Sequence, residues 1–188
     1  DDAGGSISGK AYIFDVTTGA LVHTLDNPNA YGTSASDQFG DLVAMDGNYV
    51  FVAAPFEDDA GGLSSGKAYI FKTTTGDWTD TTTLHTLDNP NAYGGSANDR
   101  FGYSIGISGN YAIVGAYGED DAGGTDSGKA YIFNVTTGTL VHTLDNPNTY
   151  GSSTGDVFGM VVAIDGNYAI VGAPWEDDAG SSSGKAYI

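Results

Sequence analysis

The chain has 188 residues and carries 24 acidic side chains against six basic ones, a formal net charge of −18. That balance leaves no basic footprint for nucleic acid or an anionic membrane surface, and favours solubility, cation binding or a salty medium. The absence of cysteine excludes a disulfide framework and any thiolate metal site, and no run approaches the roughly 20 apolar residues of a membrane-spanning helix.

Apolar residues make up 40% of the chain, and the 29 glycines recur at fixed places in a repeated phrase. Asp1, Asp58, Asp120 and Asp177 open successive copies, 57, 62 and 57 residues apart. We take the chain as one repeat domain over 1–188, with copies at 1–57, 58–119 and 120–176 and a partial fourth at 177–188. A period near sixty, made of short apolar runs broken by Gly, Asn and Asp, is the signature of units that bury their faces against their neighbours.

The elements follow in chain order. GKAYIF, starting at Lys10, is predicted as a strand, and LVHTL follows it as another that Pro28 terminates, because proline has no ladder donor. A strand is expected to begin at Phe39-Gly40 and to turn at Asp46-Gly47, a pair suited to positive φ. The next strand, NYVFVAAP, is apolar on both faces and so must be covered on both. Its small residues Ala53 and Ala54 would let backbones converge near a central axis.

GKAYIF returns at Lys67, and the five extra residues of the long copy lie between Phe71 and His85, around Gly76, Asp77 and Trp78. That insertion marks a free hairpin tip. The series repeats with Phe101-Gly102, where Phe101, Tyr103, Ile105 and Ile107 alternate with small residues, then NYAIVGAY, Lys129 and LVHTL. It repeats again with Phe158-Gly159, Asp165-Gly166, NYAIVGAP and a last KAYI from Lys185. No helical period of useful length occurs.

Four antiparallel strands per unit of about sixty residues is the anatomy of a β-propeller blade. A β-sandwich is the competing layout, but it does not explain a second strand apolar on both faces in every copy. We therefore expect an all-β fold of propeller-type blades, three repeats plus a partial fourth. Closed propellers have about four to eight blades, so the chain reads as an open segment of a larger or multi-chain assembly.

Phe39-Gly40 with Ala54-Pro55, Phe101-Gly102 with Gly115-Ala116, and Phe158-Gly159 with Gly172-Ala173-Pro174 resemble the FG-GAP repeat family, best known from the propeller at the head of integrin α chains. The resemblance covers essentially the whole chain and speaks for fold more than for function. Calcium-binding members carry an Asp-x-Asp-x-Asp-Gly type loop between the first two strands. This chain has only MDGN, ISGN and IDGN there, so those ligands do not carry over. It looks more like the branch without the metal loop, which implies a surface or structural protein.

Candidate site residues are repeated too. The triplets Glu57-Asp58-Asp59, Glu119-Asp120-Asp121 and Glu176-Asp177-Asp178 offer carboxylates to Ca²⁺, which takes six to eight oxygen ligands. The alternative is a solvated turn paired with the Lys of GKAYI, which stands eight or nine residues after the middle acid. Asp37, Asp99 and Asp156 are expected to cap nearby backbone N–H groups as Asx turns. His23, His85 and His142 occur once per copy, too dispersed to share a metal, and are expected half-exposed.

The DNPN loops offer Asn29 and Tyr31, Asn91 and Tyr93, and Asn148 and Tyr150, the residue types of a multivalent glycan- or protein-binding surface. No nucleophile elbow, phosphate loop or metal-spaced histidine pair is present. Every acid of interest recurs in equivalent copies, whereas catalysis needs one asymmetric cluster. The sequence thus points to a non-enzymatic structural or adhesive module on a cell or virion surface, acting by blade–blade and chain–chain association with other repeat-bearing chains or flanking blades. A glycan- or protein-binding propeller, assisted by Ca²⁺, is the alternative.

Overall fold

The computed structural model describes residues 5–29, 35–91, 95–148, 153–177 and 180–188. They form thirteen strands and no helix. The strands β1 (Lys10–Phe14) and β2 (Leu21–Asp26) make a two-stranded sheet. β3 (Leu42–Asp46), β4 (Tyr49–Ala54), β5 (Lys67–Lys72) and β6 (Thr82–Asp88) make a four-stranded sheet. β7 (Ser104–Ser108), β8 (Tyr111–Ala116), β9 (Lys129–Asn134) and β10 (Leu140–Asp145) make a second. The last, β11 (Val161–Asp165), β12 (Tyr168–Ala173) and β13 (Lys185–Tyr187), has three strands.

Within every sheet, consecutive strands pair antiparallel, the meander of a propeller blade. Among the described residues two blades are complete and two more are partial. The set is open.

The Phe-Gly pairs are not the start of a strand, as the sequence suggested. Phe39, Phe101 and Phe158 lie in a turn, and the strands begin three residues later. Gly40, Gly102 and Gly159 have φ of 90°, 96° and 88°, a left-handed turn that a pleated strand cannot contain. The turn swings each Phe into its own blade: Phe101 lies 5.9 Å from both the Tyr131 and Phe133 rings. Phe39 packs likewise on Tyr69 and Phe71, and Phe158 on Tyr187.

The innermost position also differs from expectation. β3 packs on β7 and β7 on β11, so the first strand of each blade, not the second, faces the middle. β4 and β8 are instead central strands with both edges paired and both faces covered. Their small residues make room for the Phe-Gly turns. A Cβ on Gly115 would stand 1.9 Å from the Gly159 carbonyl oxygen of the following blade, and Ala53 meets Gly102 in the same way.

The core lies between blades rather than inside them. Ala11, Ile13 and Leu25 pack on Phe39, Val52, Tyr69 and Phe71 of the next sheet. Phe51, Ile70 and Leu87 pack on Phe101, Val114, Tyr131 and Phe133. Ile113 and Ala130 pack on Phe158, Val171 and Ala173. Full burial of one such side chain contributes about 1.5–3 kcal/mol, so each junction outweighs any polar contact in the chain.

Candidate functional site

The polar groups singled out above converge at one place in each blade, where the acidic turn after the second strand meets the third strand and the DNPN loop. In the first complete blade, the Glu57 carboxylate is fully buried and accepts the Tyr69 hydroxyl at 2.7 Å. Glu119 holds Tyr131 in the same way, and Glu176 holds Tyr187. The turn itself is closed by Gly66 N–H donating to the Glu57 carbonyl, repeated by Gly128 on Glu119 and Gly184 on Glu176.

The three acids of a triplet do not converge. Asp58 accepts the Ser64 N–H at 2.8 Å across its own loop, and Asp120 accepts that of Asp126. Asp177 accepts the Ser182 N–H. Asp59 accepts Gly61 N–H at 2.6 Å and Asp121 accepts Gly123 N–H at 2.6 Å. Neighbouring acids in an extended segment point apart, so each finds a separate donor. Among the described residues no three acids or histidines stand together as a metal set. Asp178 lies outside the described residues.

The lysine pairing differs in its partner. Lys67 reaches Asp59 at 3.6 Å and Lys129 reaches Asp121 at 3.4 Å, as one reading of the triplets proposed. Its nearer contact is the Asp that opens DNPN: Lys10 on Asp26, Lys67 on Asp88, Lys129 on Asp145. Those pairs face each other across the ladder, in registers Lys67↔Asp88 and Lys129↔Asp145, which sequence distance concealed. Lys185 reaches Glu176 at 3.2 Å. Burial works against the Lys67 charge, yet the Asp88 hydrogen bond holds its pKa above the usual value.

Asp37, Asp99 and Asp156 are not Asx turns. Each is buried and accepts two side-chain amides of the DNPN loop: Asn27 and Asn29 on Asp37, Asn89 and Asn91 on Asp99, Asn146 and Asn148 on Asp156. The amides stand 2.6–2.9 Å from the carboxylate oxygen. Asn29, Asn91 and Asn148 are thereby turned inward, each with its N–H donating to the Asn two residues before. Tyr31, Tyr93 and Tyr150 lie outside the described residues.

His23 and His85 are half-buried and His142 is exposed, each on the fourth strand of its blade. His85 bonds across the blade boundary to the Thr136 carbonyl at 3.0 Å.

Burial governs the electrostatics. Loss of water raises Glu57 to about 7 and Glu119 to about 8, against the opposing Tyr hydroxyl bond. Desolvation likewise raises Asp99 to about 6, and Asp37 moves in the same direction. The Tyr69 and Tyr131 hydroxyls are driven upward by burial and by the facing carboxyl, so they remain donors at any ordinary pH.

The sequence did not by itself pair Glu with Tyr or Asp with the two Asn, although the signal was present. Glu and Tyr recur twelve residues apart in the two complete blades and eleven in the last. A nearly constant offset between two polar types from copy to copy is the linear trace of that bond.

Comparison with known proteins accords with this geometry. An FG-GAP repeat profile matches residues 29–71, 91–133 and 151–188, more than half of the chain. No curated protein matches significantly. Among solved structures, the β-propeller domain of Myceliophteria thermophila Cps50 (Swd1) superposes with a TM-score of 0.50 at 16% identity. The match covers 89% of this chain and 44% of that one, a likeness of fold alone. With the profile falling on all three copies and the Phe-Gly turns seated at every blade junction, the chain belongs to the FG-GAP repeat family.

Proposed function

We propose that the chain is a non-enzymatic structural module of an extracellular or virion-surface protein, working by association of blade with blade and chain with chain. One observation carries this reading: the conspicuous polar groups are spent on partners within the chain, in the same pairing from copy to copy. Glu57, Glu119 and Glu176 hold tyrosines, and Asp37, Asp99 and Asp156 hold paired asparagines. The same bonds recur copy by copy, so no blade acquires the asymmetric cluster that a reaction needs. The strong acidity suits a protein displayed in a salty exterior, where screening acts within about 8 Å.

Antibodies raised against the chain test the location. They are expected to label intact source cells or particles before permeabilisation. Label that appears only after permeabilisation overturns the surface assignment.

A further inference from the structure

One cation stands outside the pairings described above. Arg100 is the sole arginine of the chain. Its Nε–H is buried without a hydrogen-bond partner, alone in this among the buried side-chain polar atoms of the described residues. No carboxylate of those residues pairs with its guanidinium. Acids stand nearby in sequence and are engaged elsewhere: Asp99 holds Asn89 and Asn91, and Asp58 holds the Ser64 N–H.

Aromatic rings hold the guanidinium instead. Its Cζ lies over the Phe56 ring at 5.6 Å and over the Tyr117 ring at 5.2 Å. Tyr103 braces Tyr117 edge-on, with ring centroids 4.4 Å apart. The backbone beneath is tied to both blades: Arg100 N–H donates to the Ser64 carbonyl at 3.2 Å, and the Arg100 carbonyl accepts Tyr103 N–H at 3.0 Å. Stacking occupies the flat faces of a guanidinium and leaves its N–H groups, which point outward in its plane, for a partner in that plane. The two Nη groups have no hydrogen bond within the described residues and reach solvent. Both sheets that meet here, β3–β6 and β7–β10, are complete, and all four side chains are half-buried.

The cluster belongs to one junction. Gln38 and Val157 hold the place of Arg100 in the other copies, Asp41 and Met160 that of Tyr103, and Pro55 and Pro174 that of Tyr117. Gln38, Arg100 and Val157 share one backbone conformation, with φ of 57°, 55° and 52°, so the fold itself asks for no arginine. Near-identical copies thus diverge at three positions that meet through Tyr117, and folding does not account for the change.

We propose that Arg100, framed by Phe56, Tyr103 and Tyr117, is a binding site for a carboxylate ligand, with the Nη groups donating to its two oxygens. A carboxylate is planar and carries a single charge, so it meets the guanidinium fork in the plane that stacking leaves free. A tetrahedral phosphate or sulfate would set oxygens against the rings, and its greater charge would be repelled more strongly by a chain of net charge −18. The four residues include no acid or histidine, so the site offers a ligand a grip and a reaction no base. It goes beyond the structural reading, which surface labelling tests separately.

A lone arginine makes the test direct, because its Nε–H gives a single resonance in a ¹⁵N–¹H spectrum. Acetyl-dialanine with a free C-terminal carboxylate, sodium acetate and sodium phosphate are each titrated into the chain at a constant ionic strength of about 0.15 M, with acetyl-dialanine amide as the control. The Arg100 Nε–H and the Tyr117 backbone amide are expected to shift saturably with the peptide acid and with acetate, and to ignore the amide. Tighter binding of the peptide acid supports the site and gives a polypeptide terminus as the source; equal binding supports it and gives a small free acid.

Arg100→Gln installs the side chain that position 38 already carries on the same backbone. It is expected to keep the β circular-dichroism spectrum and to abolish the Tyr117 shift. Arg100→Lys keeps the charge without the fork and is expected to weaken binding about tenfold. No saturable shift with either acid, an equal response to the amide, phosphate bound more tightly than acetate, or binding undiminished in Arg100→Gln or Arg100→Lys overturns the proposal.

Discussion

At the residue scale, the buried Glu–Tyr pair is the most sensitive polar feature. Glu57 and Glu119 have pKa values raised to about 7 and about 8 from an ordinary 4.5. The folded state therefore holds protons that the unfolded chain releases. Their stabilising effect is complete below pH 4.5 and is lost as pH rises through the folded values, and Asp99, at about 6, acts in the same direction.

The melting temperature is expected to fall from about pH 5 to about pH 8, by roughly 2–4 °C for each kcal/mol involved. A differential-scanning-calorimetry series checks this, and a flat or rising profile contradicts it. Glu119→Gln keeps an acceptor for Tyr131 and removes the charge, so it is expected to flatten the slope and raise stability at the alkaline end. Tyr131→Phe removes the donor from a buried carboxyl and should cost about 1–3 kcal/mol in urea unfolding.

At the element scale, the turns rather than the strands carry the strictest demands. Gly66 has φ of 82°, and a Cβ there would stand 2.1 Å from the Phe101 carbonyl oxygen of the next blade. Gly66→Ala combines a left-handed backbone penalty of about 1–2 kcal/mol with a backbone clash, and is expected to cost at least about 2 kcal/mol. Unfolding midpoints check it, with Gly47→Ala as the comparison, because a Cβ on Gly47 meets nothing within 4 Å. The β5–β6 tip behaves oppositely. Asp77 and Asp80 there are held by Thr73, Thr74, Thr75 and Thr79 in an exposed loop. Inserting five Gly/Ser residues after Gly76 is expected to cost no more than about 1 kcal/mol, since doubling a loop adds only about 0.6.

For the whole molecule, stability is nearest-neighbour in character, because the three apolar clusters each sit at a junction between sheets. Phe101→Ala hollows the middle junction and is expected to cost about 3–5 kcal/mol. The same change at Phe158, which packs with Ile113, Ala130, Val171 and Ala173, tests the next junction. A chain of net charge −18 also repels itself. Its melting temperature is expected to rise with NaCl until the Debye length falls to about 3 Å near 1 M.

The propeller architecture, the strand sequence, the hairpin tip around Trp78 and the family were legible in the chain itself, because hydrophobic period and turn chemistry are local and were repeated three times. The Phe-Gly turn was misplaced because Phe101, Tyr103, Ile105 and Ile107 alternate like a strand, while the positive φ of Gly102 comes from its approach to the neighbouring blade. Position along the blade radius was likewise undecidable from composition: Ala53 and Gly115 are small because a turn of the following blade abuts them.

The site followed the same division. Sequence alone supplied the residues, Glu, Asp, Lys, Asn and Tyr at constant offsets, since those are written in one dimension. Only the tertiary structure decided which of them bond, setting Lys67 on Asp88 and Asp99 on Asn89 and Asn91, because cross-strand register and burial are properties of packed sheets and have no linear signature.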